Sequence, residues 1–210
     1  MPEQPEVRVW DPLVRLTHWS LAIGIVLSFV TAERWPEIHE AIGYAIGGII
    51  VVRVLWGFIG SQHARFSDFA YGPSAVRRYL VALMGFKGRR YLGHSPAGGA
   101  MVMLLLALVS VIVATGILTE IQRENALPPA VATAASSGAP SGLDASIEEH
   151  ESVVGQIHEA AANVLIVFVS LHIAGVLVAS LVHRENLVVA MFTGRKRLKS
   201  KPDNPAAGNG

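Results

Sequence analysis

The stretch HEAAANVLIVFVSLHIAGVLVASLV, residues 158–182, decides how the rest of the sequence is read. From Ala160 to Val182 it holds no charged residue, and its one ionisable member is His172. About 20 residues of this character span the hydrocarbon of a bilayer as a single helix. Three more stretches share it. The first runs from about Leu13 to Ala32 and carries His18, the second from about Ile42 to Gly60 is broken only by Arg53, and the third, Ala97 to Thr119, has no charge at all. Four such helices in 210 residues cannot all be the core of a soluble domain, because too little chain remains to cover them. The expected fold class is an all-α membrane protein, a four-transmembrane-helix bundle with helices at about 13–32, 42–60, 97–119 and 158–182.

Composition agrees. Apolar residues make up 51% of the chain and charged residues 16%, against roughly 25% charged in typical soluble domains. Mean hydropathy is +0.44. There is no cysteine, which excludes disulfides, thiolate zinc sites, iron–sulfur clusters and covalent c-type haem. Redox or metal chemistry must then run through the eight histidines, the carboxylates, or a non-covalently held cofactor. The net charge of +1 offers no electrostatic footprint for nucleic acid.

That small net charge hides an asymmetry. With both termini on one side of the membrane, all but Arg34 and Arg123 of the 17 Lys and Arg lie on that side or within helices. Carboxylates run the other way, with Glu33, Glu37, Glu40, Glu120 and Glu159 among those on or beside the opposite segments. The positive-inside rule then predicts cytoplasmic termini, N-in and C-in, in a bacterial inner membrane. Between helices two and three, apolar and basic residues from Ala75 to Met84 alternate as in an interfacial amphipathic helix. The outer loop at 126–146 is rich in Ala, Ser, Pro and Gly and is expected to be disordered. Residues 1–195 form the expected membrane domain, and 196–210 a basic, disordered cytoplasmic tail.

An ionisable side chain inside a membrane span is costly and marks a functional site by default. His158 and His172 are 14 positions apart in the sequence, which at 100° and 1.5 Å per residue puts them within about 40° of one face and roughly 21 Å apart along the axis. His39, at the outer mouth of helix two, shares the depth of His158, and His18 shares that of His172. Two imidazoles at one depth on different helices are what a bis-histidine haem iron requires. Each histidine alone could also serve as an interhelical hydrogen-bond donor or a proton-relay group; the matched depths and common face favour haem. Arg53 reaches the inner depth as a propionate partner or a snorkelling cation. His94 and Ser95 belong either to a pocket at the inner haem or to a simple helix start, with Ser95 as cap and Pro96 at its first position. His183 reads as interfacial, and His63 and His150 as solvated loop residues.

Several of these segments together resemble the bacterial cytochrome b-561 family, which includes the haem b subunits of nickel–iron hydrogenases and is related to formate dehydrogenase cytochrome b subunits. The carriers are Val9-Trp10-Asp11-Pro12 with Arg15-Leu16-Thr17-His18-Trp19, then His39-Glu40-Ala41-Ile42-Gly43-Tyr44. They continue with Arg53-Val54-Leu55-Trp56-Gly57-Phe58-Ile59-Gly60, Ala64-Arg65-Phe66, Gly93-His94-Ser95-Pro96 and the His158/His172 pair. The resemblance implies a four-helix cytochrome with two haems b, ligands on helices one, two and four, and a quinone site at Gly93, His94 and the His172 region. Ser95 stands where members often have Asn. The function it implies is electron transfer across the membrane between a quinone pool and a redox partner of a respiratory chain, a periplasmic c-type cytochrome or a dehydrogenase or hydrogenase subunit. The alternative is a superoxide oxidase that reduces quinone, which the acidic outer segments disfavour because an anion needs a positive mouth. A third class is a haem-free transporter with histidine proton relays.

Overall fold

The computed structural model describes residues 6–85, 87, 89–126 and 153–197. Its elements run β1 (Glu6–Arg8), α1 (Pro12–Thr31), α2 (Pro36–Ile59), a 3-10 turn (Gln62–Ala64), α3 (Phe66–Phe69), α4 (Pro73–Met84), α5 (Pro96–Ala126), α6 (Val153–His183), α7 (Leu187–Thr193) and β2 (Arg195–Arg197). Four helices, α1, α2, α5 and α6, are long and apolar enough to cross a membrane. Only 6% of the apolar window in α5 and in α6 is buried within the protein. Large apolar side chains such as Phe58 and Leu181 lie 69% and 76% exposed, a surface that water disfavours and lipid covers.

Helix α1 falls within one residue of the bounds expected from its apolar run, whereas α2, α5 and α6 extend past theirs. Helix α2 begins at Pro36 rather than near 42, so Glu37, His39 and Glu40 lie in its first turns. Helix α5 continues to Ala126, and α6 begins at Val153. Apolar residues delimit the part of a helix in hydrocarbon, whereas helix ends follow capping chemistry, and Pro at the first position is pre-organised for a helix start. Ser95 caps α5, its Oγ accepting from Gly98 N at 3.2 Å. The amphipathic stretch of the second connection is helical as α4. Apart from Ala126, the 126–146 segment lies outside the described residues, as does His150.

The chain divides into two compact units, one of residues 1–19, 52–101 and 173–210, the other of 20–51 and 102–172. In the first, the two ends of the described chain meet. Strands β1 and β2 pair antiparallel, Glu6 with Arg197, Val7 with Lys196 and Arg8 with Arg195. The expected tail boundary at 196 is therefore too early: Lys196 and Arg197 belong to a strand, and the rest of that tail, 198–210, lies outside the described residues. The reason is a local clasp. Gly194 takes φ 77°, open to glycine at little cost, and a side chain there would meet the Trp10 carbonyl at 2.7 Å. Its own carbonyl accepts from Val9 N (2.8 Å) and Trp10 N (3.1 Å). Lys196 is buried with its Nζ 3.3 Å from the Tyr91 carbonyl and 5.7 Å above the Trp10 ring. Burial lowers its ammonium pKa below the ordinary range, which Glu185 partly opposes. Arg15 donates to the Phe192 carbonyl, and the Trp19 and Phe192 rings stack at 4.1 Å.

Helix α6 ends on Arg184, whose φ of 51° is left-handed and costs a non-glycine residue about 1 kcal/mol. The turn is a helix C-terminal motif, with Arg184 N on the Leu181 carbonyl (3.2 Å) and Glu185 N on the Ser180 carbonyl (3.0 Å). Among the described residues of the second unit, Ile46, Ile50, Val109 and Leu165 are buried apolar side chains.

Asp11 ties the start of α1 to the end of α2. Its Oδ1 accepts from Val14 N at 2.9 Å, and its Oδ2 accepts from Trp56 Nε1 at 3.0 Å and from Ser61 Oγ. Burial pushes the carboxyl up, but the hydrogen bonds from Ser61, Val14 and Trp56 outweigh it and leave Asp11 below its ordinary value. A depressed carboxyl contributes stability that is complete above the unfolded pKa, about 3.9 for Asp, and is lost as pH falls through the folded value. Asp11→Ala is expected to cost about 1–2 kcal/mol at neutral pH in detergent-solubilised protein. Thermal unfolding followed by circular dichroism checks this, the gap from wild type narrowing only below about pH 4.

Candidate functional site

Within the second unit, a cavity of about 750 Å³ is lined by α1, α2, α5 and α6. Two histidines face one another across it. His39 sits in the first turn of α2, its N–H on the Trp35 carbonyl at 2.9 Å, and His158 sits in the second turn of α6. Their ring centroids are 6.3 Å apart and their planes 81° apart. His39 Nδ1 lies 2.9 Å from the Ser28 carbonyl on α1, and His158 Nδ1 lies 2.9 Å from the Ile112 carbonyl on α5, with Thr115 Oγ1 at 3.3 Å. A carbonyl oxygen can only accept, so each Nδ1 carries the proton and each Nε2 keeps a lone pair for ligation.

The spacing suits one metal. With a metal–nitrogen bond of about 2.0 Å on each side and roughly 1.1 Å from nitrogen to ring centre, two imidazoles opposed across a single ion have centroids ~6.3 Å apart. Among the described residues, no group of three or more His, Asp or Glu side chains comes together to hold a bare ion. A metal held by these two imidazoles would take its other ligands from a group the protein does not supply, and the cavity between the helices is where such a group would lie. Gly43 lines it, and a Cβ there would meet nothing within 4 Å. At Gly116 a Cβ would lie 3.1 Å from His158 Cε1, so the bare glycine is what lets the imidazole rest against α5. Glu33, Glu37, Glu40, Glu120 and Glu159 also line the cavity, with Arg123, which pairs with Glu120 at 2.7 Å.

A family model described as prokaryotic cytochrome b561 matches residues 9–194. The chain belongs to this family. Membership makes it a multi-pass membrane cytochrome of electron transfer and implies haem b as its cofactor. Two relatives are named probable Ni/Fe-hydrogenase B-type cytochrome subunits. The one from Bradyrhizobium diazoefficiens is 22% identical over 93% of this chain and 88% of its own length. The one from Rhizobium leguminosarum bv. viciae is 24% identical over 96% of this chain and 93% of its own. No solved structure matches.

The cytochrome's other sequence-predicted residues are placed as follows. His18 lies in the first unit beside Trp19, edge to face at 5.0 Å, and His172 is the last residue of the second unit. His94 is flanked by the rings of Trp10 (4.6 Å) and Phe69 (4.4 Å). Arg53 is 5% exposed, with Nη1 3.5 Å from the Ala64 carbonyl and its guanidinium 5.4 Å above the Phe66 ring. His63, expected in solvent, is partly buried and bonded through Nδ1 to Asp68 at 2.9 Å. His183 Nε2 lies 3.3 Å from the Tyr79 hydroxyl.

Sequence reasoning missed Thr115, Gly116 and the Ser28 and Ile112 carbonyls. The adjacent Thr115-Gly116 was the one available signal, a polar and a small residue in an uncharged span. The cytochrome's Gly116→Ala variant is expected to displace the His158 ring and lower haem content severalfold, measured as α-band absorbance per protein. Gly48→Ala, where a Cβ meets nothing within 4 Å, is expected to keep full haem content.

Proposed function

We propose that this cytochrome carries electrons across the bacterial inner membrane between a quinone pool and a redox partner on the far side, through two haems b. The observation that carries the reading is the opposed His39 and His158 pair, each ring anchored through Nδ1 to a main-chain carbonyl and turned toward one cavity. In this reading His39 and His158 would hold the outer haem. His18 and His172 would hold the inner one, supported by their matched depth in the sequence. Haem b, when bound, would supply a one-electron iron couple.

The protein's own part is to orient and insulate. The Ser28 and Ile112 carbonyls hold the ligand tautomers and raise imidazole basicity. Arg53, buried with its guanidinium over the Phe66 ring and near the Ala64 carbonyl, is assigned to an inner propionate. His94 and Ser95 are assigned to the quinone pocket at the start of α5, where the ring of His94 is held between two aromatic side chains.

The direction of the lysines and arginines supports cytoplasmic termini, and the β1–β2 pairing is consistent with both ends lying on one side. The names of the two relatives support a hydrogenase or dehydrogenase subunit as partner, with a periplasmic c-type cytochrome as the other candidate. Superoxide is disfavoured as electron donor, since five carboxylates and one arginine line the outer cavity and repel an anion.

Reduced-minus-oxidised spectra of single variants test the assignment. His39→Ala and His158→Ala are each expected to lose half of the haem, the outer one, and His172→Ala and His18→Ala the other half. Loss of both haems from each variant at normal protein levels would refute the pairing. An unaltered spectrum in all four would refute the ligand set.

A further inference from the structure

A second cavity, of about 660 Å³, lies in the first unit where α6 ends. Its lining brings together the turn after α6, the helix α7 and both short strands. Two of its residues are carboxylates, and each already has a cation: Arg90 donates from Nε (2.6 Å) and Nη2 to Glu185, and Arg195 lies 3.6 Å from Glu6. Lys196 is committed to the Tyr91 carbonyl and the Trp10 ring. That leaves Arg184, exposed, with no hydrogen bond or ion pair to its guanidinium among the described residues.

Arg184 is also where local rules predict something else. Its left-handed φ of 51° at the residue after a helix is a position that glycine fills by preference. An arginine is disfavoured there by its backbone, so its presence points to a use for the side chain. Leu187, Val189 and Ala190 line the same cavity. The same short helix leaves Val188, Val189 and Phe192 at 40%, 50% and 58% exposed, a surface on which acyl chains can lie. The cavity therefore has a cationic rim with a free guanidinium, an apolar wall, and a position at the end of the fourth membrane span.

We propose that this cavity binds the phosphodiester headgroup of an acidic phospholipid, with Arg184 as its main contact and Arg195 beside it. Guanidinium groups bind phosphate oxygens bidentately, and basic pockets at the ends of membrane helices take anionic headgroups. The apolar wall favours a lipid over a free phosphate ion, which would make no use of it. The proposal is independent of the haem reading.

The test is native mass spectrometry of the full-length cytochrome released from bilayers of phosphatidylglycerol and phosphatidylcholine in equal amounts. Wild type is expected to retain one phosphatidylglycerol in preference to phosphatidylcholine. Arg184→Gly is expected to lower that retention roughly tenfold while its melting temperature stays level or rises, because glycine suits the left-handed turn. A purely structural arginine, acting on the carbonyl end of α6, predicts the reverse, a lower melting temperature with lipid retention unchanged, and that result would overturn the proposal. Equal retention of both lipids by wild type, or displacement of the retained lipid by millimolar inorganic phosphate, would overturn it as well.

Discussion

In hydrocarbon an imidazole cannot leave its N–H unmatched without a cost of several kcal/mol. In the cavity of the second unit that requirement is met by main-chain carbonyls of neighbouring helices, Ser28 for His39 and Ile112 for His158. Each carbonyl already belongs to a helix, so the ring it holds is fixed relative to a rigid element rather than to a loop. The same bond decides the tautomer and therefore which nitrogen faces the cavity. The features around it follow from this constraint. Gly116 admits the His158 ring, Thr115 adds a second oxygen beside its Nδ1, and Gly43 leaves space where a macrocycle would lie.

The first unit obeys a different chemistry. Its helix ends are held by polar and aromatic contacts suited to a membrane boundary: the Asp11 bonds to Trp56 and Ser61, the Arg90–Glu185 pair, and the clasp of β1 and β2 through Gly194. Charged residues that composition alone assigns to solvent are buried here, Lys196 and Arg53 among them. Each sits over an aromatic ring and against a carbonyl, so the cost of desolvating the cation is offset by groups that act on it directly. Arg184 is the exception, exposed and backbone-strained, and it borders the cavity assigned to lipid.

The four spans were legible without coordinates because bilayer thickness and the 1.5 Å rise of a helix convert apolar run length into a crossing. That arithmetic already matched His39 with His158. It says nothing about azimuth between helices, so it left Thr115, Gly116 and the two anchoring carbonyls unseen. A carbonyl has no sequence signature. Helix ends were misjudged for a related reason, since apolar runs measure contact with lipid whereas Pro36 and Ser95 set where helices start. His63 looked like a solvated loop residue because its partner Asp68 comes within reach only through the turn between them.

By itself, then, the sequence determined an all-helical membrane protein with no thiol chemistry, a polarised distribution of charge, and histidines as the candidate ligands. These depend on composition and on distance along one helix, which short-range geometry controls. Tertiary structure decided which nitrogen of His39 and His158 is free to ligate, that residues 195–197 close on the N-terminal segment as a strand, and that Arg53 lies buried against Ala64 and Phe66. Those outcomes depend on contacts between segments far apart in the chain, set by how helix surfaces pack, and no local pattern of residues encodes them singly.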